Sequence, residues 1–130
     1  MKILLDTNVL VAAVLSGGYC NEMMEQAVHD HELYTTSFVL DEIKRVFKQK
    51  EFYPVARPVE GLLRFIDEFF ILGRTAFEVE KVCRDPNDDQ LLADAVFNRI
   101  DVLITGDKDL LILKKYKGVD IRSPRDYENL

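Results

Sequence analysis

Cysteine is scarce in this chain. Cys20 and Cys83 are isolated and form no CxxC pair. Two such thiols fit a reducing cytoplasmic setting better than a disulfide framework. Histidine is equally sparse. His29 and His31 sit together near the end of a predicted helix, away from every predicted strand end, so a zinc site built on Cys and His has no donors to draw on. Proline (4) and glycine (6) are too few, and too scattered, for a low-complexity segment or an interdomain linker in 130 residues. One domain spanning 1–130 is the expectation. No apolar run is long enough to span a bilayer. The opening run Ile3-Leu4-Leu5 stops at Asp6, which a signal peptide would not tolerate. Basic residues are also in deficit: 17 Lys and Arg against 23 Asp and Glu give a net charge of −6. Taken alone, that balance disfavours a nucleic-acid partner, because phosphate contacts rest on Lys and Arg. The objection weakens if the acids gather in one pocket that takes up cations.

What is present is an alternation of strand-like and helix-like segments. Residues 2–5 read as a short buried strand, and an apolar stretch over 9–15 ends at Ser16-Gly17-Gly18. A helix is predicted over about 21–30 and a second strand over 33–36. In the next helix Val39, Ile43, Val46 and Phe47 repeat at the 3.6-residue period, with Ser37 as its expected cap. Tyr53-Pro54 and Arg57-Pro58 mark a connector. A further helix follows, reaching to about Gly73, then one over about 88–98, a strand over 102–105, a short helix over 107–115 and a last strand over 119–121. Ser123-Pro124 resembles a cap and first helical residue. Such an alternation implies an α/β fold, a parallel sheet covered by helices through right-handed crossovers.

Four acids stand out against this frame. Asp6 and Asp107 directly follow predicted strands, at the carboxyl edge where open α/β sheets carry their crevice. Glu42 shares the apolar face of its helix, and Asp89 lies in the first turn of another, where the helix dipole favours a carboxylate. Carboxylates beside buried apolar runs are costly without a counter-charge. An oxygen-only set of this kind suits Mg²⁺ or Mn²⁺. Each acid also has a plain structural reading: a turn cap for Asp6, a salt bridge for Glu42, a first-turn helix acid for Asp89 and an N-cap for Asp107.

The motifs Leu5-Asp6-Thr7-Asn8-Val9-Leu10, Val39-Leu40-Asp41-Glu42-Ile43, Arg84-Asp85-Pro86-Asn87-Asp88-Asp89 and Ile104-Thr105-Gly106-Asp107-Lys108-Asp109-Leu110 resemble, in order and spacing, those of PIN domains. The ending Ser123-Pro124-Arg125-Asp126-Tyr127 is similar to that of one PIN subgroup, the toxin components of toxin–antitoxin pairs, or VapC-like ribonucleases. The resemblance covers nearly the whole chain. It implies a three-layer α/β/α fold, metal-dependent ribonuclease activity, an antitoxin partner, and metal ligands at Asp6, Glu42, Asp89 and Asp107. At the third position Asp85, Asp88 and Asp89 compete. Asp89 is favoured because Leu92, Ala93 and Val96 share its helical face, whereas Asp88 points about a hundred degrees away on an ideal helix. Asp109 competes with Asp107, which comes sooner after the strand.

Asn8 and Thr105 are expected to orient the ligating acids, as is Ser37 if it does not cap its helix. Lys44, Arg45, Lys48 and Lys50 lie beside Glu42 and either grip RNA phosphate or form a solvated helix face. Lys108, Lys114, Lys115 and Lys117 make a second basic stretch. Residues 62–72 carry more apolar side chains than one helix face needs, which points to core or to a surface for a second copy or an antitoxin. With no Ser–His or Cys–His pair in view, direct attack by water is expected rather than a covalent intermediate. Two rivals remain. A phosphoacceptor receiver-like domain would need an acidic pair after the first strand, where Thr7-Asn8 stand. A non-catalytic PIN-like binding module would keep the fold without the chemistry.

Overall fold

Strand β1 (Lys2–Leu5) is buried along three of its four residues and occupies the middle of the sheet. The computed structural model describes residues 1–16, 18–49 and 56–130. The elements after β1 run α1 (Thr7–Ser16), α2 (Tyr19–Asp30), β2 (Glu32–Thr35), α3 (Ser37–Phe47), α4 (Ala56–Phe69), β3 (Ile71–Leu72), α5 (Pro86–Phe97), β4 (Val102–Ile104), α6 (Lys108–Leu111), β5 (Lys115–Tyr116) and β6 (Val119–Arg122), closing with a 3-10 helix, Pro124–Asn129. The sheet order is β3-β2-β1-β4-β6-β5. All neighbours pair in parallel except β5 with β6.

The expected α/β architecture with a central parallel sheet is what forms, with helices flanking the sheet. β4 and all of β1 after Lys2 are apolar and buried because both of their faces are covered. The core joins Ile3, Leu4 and Leu5 to Leu103, Ile104, Ile43, Leu92 and Leu110. The antiparallel exception, absent from the sequence reading, is a hairpin whose turn residues Lys117 and Gly118 both have positive φ, 45° and 85°. Left-handed turns of this sort match the twist of the flanking strands.

The apolar stretch after Asp6 is helix α1. The predicted helix over 107–115 shortens to α6, since Lys114 takes a φ of 60° and the chain enters β5. Arg57-Pro58, read as connector, falls within the bounds of α4. Tyr53-Pro54 and Lys50 lie outside the described residues. Of the apolar stretch over 62–72, Leu62, Ile66 and Phe70 are buried, while Phe69, Ile71 and Leu72 are exposed at the β3 edge. No helix among the described residues is long and apolar enough to cross a membrane.

The strand order reverses about β1: the chain moves from β1 outward to β2 and β3, then returns to β4 on the other side. A crevice opens at such a switch point, at the carboxyl ends of the strands. Helix α3 follows β2 and starts at that edge. Helix α5 precedes β4 and runs against the strands, so its first turn reaches the same edge.

Candidate metal centre

Asp6, one residue past β1, is buried. Its Oδ2 accepts a 2.7 Å hydrogen bond from the hydroxyl of Thr105, one residue past β4. The same Thr105 oxygen accepts from the backbone N–H of Asp107 at 3.0 Å. Burial raises the Asp6 pKa against the hydrogen bonds from Thr105 and from the backbone of Thr7 and Asn8, and the charge of Asp107 pushes the same way. Asn8 thus reaches the acid through its backbone, while its side chain is exposed.

The tight cluster forms from Asp88, Asp107 and Asp109, each offering a carboxylate oxygen within 4.8 Å of the others. The structure therefore gathers both residues treated as alternatives in the sequence. Asp107 also caps α6, its Oδ1 accepting from Asp109 N–H at 2.9 Å. The Asp88 pKa is pushed up to about 7, first by burial, then by the charge of Asp107 and a hydrogen bond shared with it, then by Asp85 and Asp6. Four acids thus act on one another electrostatically. Among these like charges Asp88 keeps its proton more readily than a free carboxyl would, and a cation joining the acids would relieve the repulsion.

Asp89 is turned elsewhere. Its Oδ1 accepts from the backbone N–H groups of Val82 and Cys83 at 3.0 and 2.7 Å. The helical-face argument for Asp89 over Asp88 fails for a local reason. In a first turn the side chains answer to nearby loop groups as much as to the helix axis, and the backbone entering α5 presents two N–H donors to Asp89. Asp85, the other competitor, is the N-cap, accepting from Asn87 N–H at 2.9 Å.

Glu42 lies outside the three-acid cluster. Both of its oxygens are held by Arg45, from Nε at 3.1 Å and Nη2 at 3.0 Å. The Arg45 guanidinium also feels Asp85, which places this pair on the α5 side of the crevice. Ser37 is exposed at the first position of α3, and the cap is Thr36, whose Oγ1 accepts from Val39 N–H at 3.4 Å. Thr36 suits the role because its extended backbone (φ −134°, ψ 163°) leads directly into the helix. Lys44, Lys48 and Lys108 are exposed. Lys115 and Lys117 pair with Asp120 and Glu80, away from the acids.

Two features were not read from the sequence. Arg84 reaches the cluster at Asp109, its Nη2 lying 2.8 and 2.9 Å from the two carboxylate oxygens. Asp94, fully buried, accepts from Thr36 Oγ1 at 3.0 Å, Ala76 N–H at 2.7 Å and Gln90 Nε2 at 2.9 Å. It ties the start of α3 to α5 and to the segment after β3. A cavity of about 550 Å³ lies beside α5, between Phe77, Val79, Phe97 and Tyr116; Asp89 lines it and none of the three clustered acids does.

The donor set fits a hard divalent cation. Three carboxylates converge, Asp6 supports them from the strand end, and neither histidine is among them. Cys83 stands close enough to feel Asp89, Asp88, Asp109 and Asp107, and burial with those charges pushes its thiol up to about 11. It is therefore a protonated bystander rather than a nucleophile.

A mostly parallel sheet with carboxylates converging at its switch point defines the class: an α/β domain with an acidic cleft. The family model for the PIN domain matches residues 2–109, and the chain belongs to the PIN-domain family. Members of this family are generally nucleases and typically use divalent metals. The fold is also similar to a chain in the crystal structure of VapBC2 from Rickettsia felis bound to a DNA fragment from their promoter, with a TM-score of 0.70 at 16% identity over 95% of this chain and 98% of that one. No curated protein matches the sequence.

Proposed function

We propose that this protein is a metal-dependent ribonuclease, the toxin component of a toxin–antitoxin pair. The observation that carries the reading is the convergence of Asp88, Asp107 and Asp109 within 4.8 Å, beside Asp6, in a PIN-family chain. Asp6, Asp88, Asp107 and Asp109 would hold Mg²⁺ or Mn²⁺, with Glu42 at the rim. Such an ion supplies Lewis acidity toward a phosphodiester and lowers the pKa of an attacking water. Thr105 fixes the carboxylate of Asp6 and the backbone of Asp107 in one frame. Asp88, part-protonated near pH 7, releases its proton as the acids are neutralised. Hydrolysis without a covalent intermediate agrees with the inert thiol of Cys83. An antitoxin partner is supported by the likeness of fold to a chain of a VapBC2 assembly.

Labelled RNA incubated with purified protein decides the activity. Cleavage that requires Mg²⁺ or Mn²⁺ and is lost in Asp88→Asn and Asp6→Asn is the expected result. Cleavage undiminished in excess EDTA would overturn the reading. The toxin role predicts that expressing the chain alone arrests growth and that Asp88→Asn relieves the arrest.

A further inference from the structure

Arg84 occupies an unusual place. Its side chain is 87% exposed, yet its Nη2 lies within hydrogen-bond distance of both oxygens of Asp109, a member of the three-acid cluster. The nearby Arg45 makes an instructive contrast. Arg45 spends two nitrogens, Nε and Nη2, one on each oxygen of Glu42. Arg84 engages Asp109 through a single nitrogen, and its Nε and Nη1 have no hydrogen-bond partner among the described residues. A guanidinium carries five donors in a fixed plane, so most of those on Arg84 face the solvent beside Asp109.

The backbone beneath Arg84 is fixed on both sides. Asp89 accepts from Val82 and Cys83 N–H just before it, and Asp85 caps α5 just after it. The position of this arginine is therefore set by three separate anchors: the loop, the helix cap and Asp109. The backbone anchors keep the guanidinium within reach of the cluster, and Asp109 directs it there. The ion pair itself is exposed and weak enough to be re-partitioned when Asp109 is neutralised from its other side.

We propose that Arg84 is a phosphate-gripping residue of this site, held by Asp109 so that its free guanidinium edge meets the nucleic-acid backbone beside the acid cluster. The proposal rests on the ribonuclease reading and adds the residue that holds the substrate. It also answers how a chain of net charge −6 engages a polyanion. The contact is one arginine at the rim of the acidic cleft, whose planar fork matches phosphate oxygens as an ammonium does not. By the same geometry Asp89 is a positioning residue, acting through the loop that carries Arg84.

The test uses the full chain, wild type and Arg84→Ala, Arg84→Gln and Arg84→Lys, with a fluorescein-labelled single-stranded RNA of mixed sequence. Binding is read by fluorescence anisotropy in Ca²⁺ across a salt series, and turnover in saturating Mn²⁺. The expected result is about tenfold weaker binding for Arg84→Ala and Arg84→Gln, a rise in KM with kcat little changed, and partial recovery in Arg84→Lys. The slope of log affinity against log salt falls by about 0.7, one phosphate contact on a single strand. If Arg84 served only to neutralise Asp109, the alanine variant would bind Mn²⁺ more tightly while its RNA affinity and salt slope stayed at wild-type values. That outcome overturns the inference and leaves the ribonuclease reading standing. A wild-type protein that neither binds nor cuts the RNA overturns both.

Discussion

The hydroxyl of Thr105 donates to Asp6 Oδ2 at 2.7 Å, joining residues 99 positions apart. It is the bond by which the ends of β1 and β4 share one buried carboxylate. Thr105→Val keeps the shape and removes the hydroxyl, leaving the Asp6 oxygen and the Asp107 N–H without that partner. The expected loss is about 2 kcal/mol in urea unfolding and about tenfold in Mn²⁺ affinity by calorimetric titration. Thr105→Ser should restore most of both. A valine variant equal to wild type in both measurements would show that the bond is incidental.

The carboxyl of Asp88 makes metal-free stability depend on pH. Its pKa of about 7 in the folded protein stands above the ordinary 3.8. Between those values the unfolded chain releases a proton that the folded chain retains, so unfolding becomes easier as pH rises from about 4 to about 7. Asp88→Asn should therefore be more stable than wild type at pH 7.5 without cations, by a margin that shrinks markedly at pH 4.5. Melting curves followed by circular dichroism at both values check this; a difference that does not change with pH contradicts it.

Protons and cations should compete for the same oxygens. With wild-type protein, Mn²⁺ affinity is expected to weaken as pH falls below 7, approaching tenfold per pH unit where one proton is displaced per ion. Titrations at pH 5.5, 6.5 and 7.5 measure the slope. A flat profile would mean that Asp88 takes no part in binding the ion.

Asp88 and Asp89 should separate cleanly by mutation. Asp88→Asn is expected to cut Mn²⁺ affinity at least tenfold at pH 7.5. Asp89→Ala strips the Val82 and Cys83 N–H groups of their acceptor and should cost about 1–3 kcal/mol in stability, with a smaller effect on the ion. The reverse ranking would return Asp89 to the centre of the site.

Asp94 is the fold's internal tie. Replacing it with Ala leaves Thr36 Oγ1, Ala76 N–H and Gln90 Nε2 short of their shared acceptor. A cost on the order of 3 kcal/mol is expected in chemical denaturation. A cost under about 1 kcal/mol would mean that these donors find other acceptors readily.

Much of this was legible in the chain itself. Ile3-Leu4-Leu5 and Val102-Leu103-Ile104 declare themselves as buried strands because nothing polar interrupts them, and the acids that follow each mark the carboxyl edge. Thr105 could be placed for the same reason. What stayed hidden depends on groups that no periodicity encodes. Choosing Asp88 over Asp89 requires knowing that the backbone at Val82 and Cys83 offers two donors to the second acid. Choosing Thr36 over Ser37 as the cap turns on one residue of strand length. Arg84 sits in a stretch with no helical or strand pattern, so its tie to Asp109 appears only once the loop before α5 has a path. Asp94 reads as one more acid on a polar helix until its three donors, from three segments, are seen around it.

The pairing of β1 with β4 has a consequence for the making of the protein. Ile3 lies against Val102 and Leu5 against Ile104, so β1 waits for about a hundred further residues to be made before β4 supplies its second edge. Thr105, Asp107 and Asp109 arrive later still. A ribosome making this chain thus holds an incomplete site until Asp109 has emerged, and the three clustered acids meet beside Asp6 only once β4 has paired with β1.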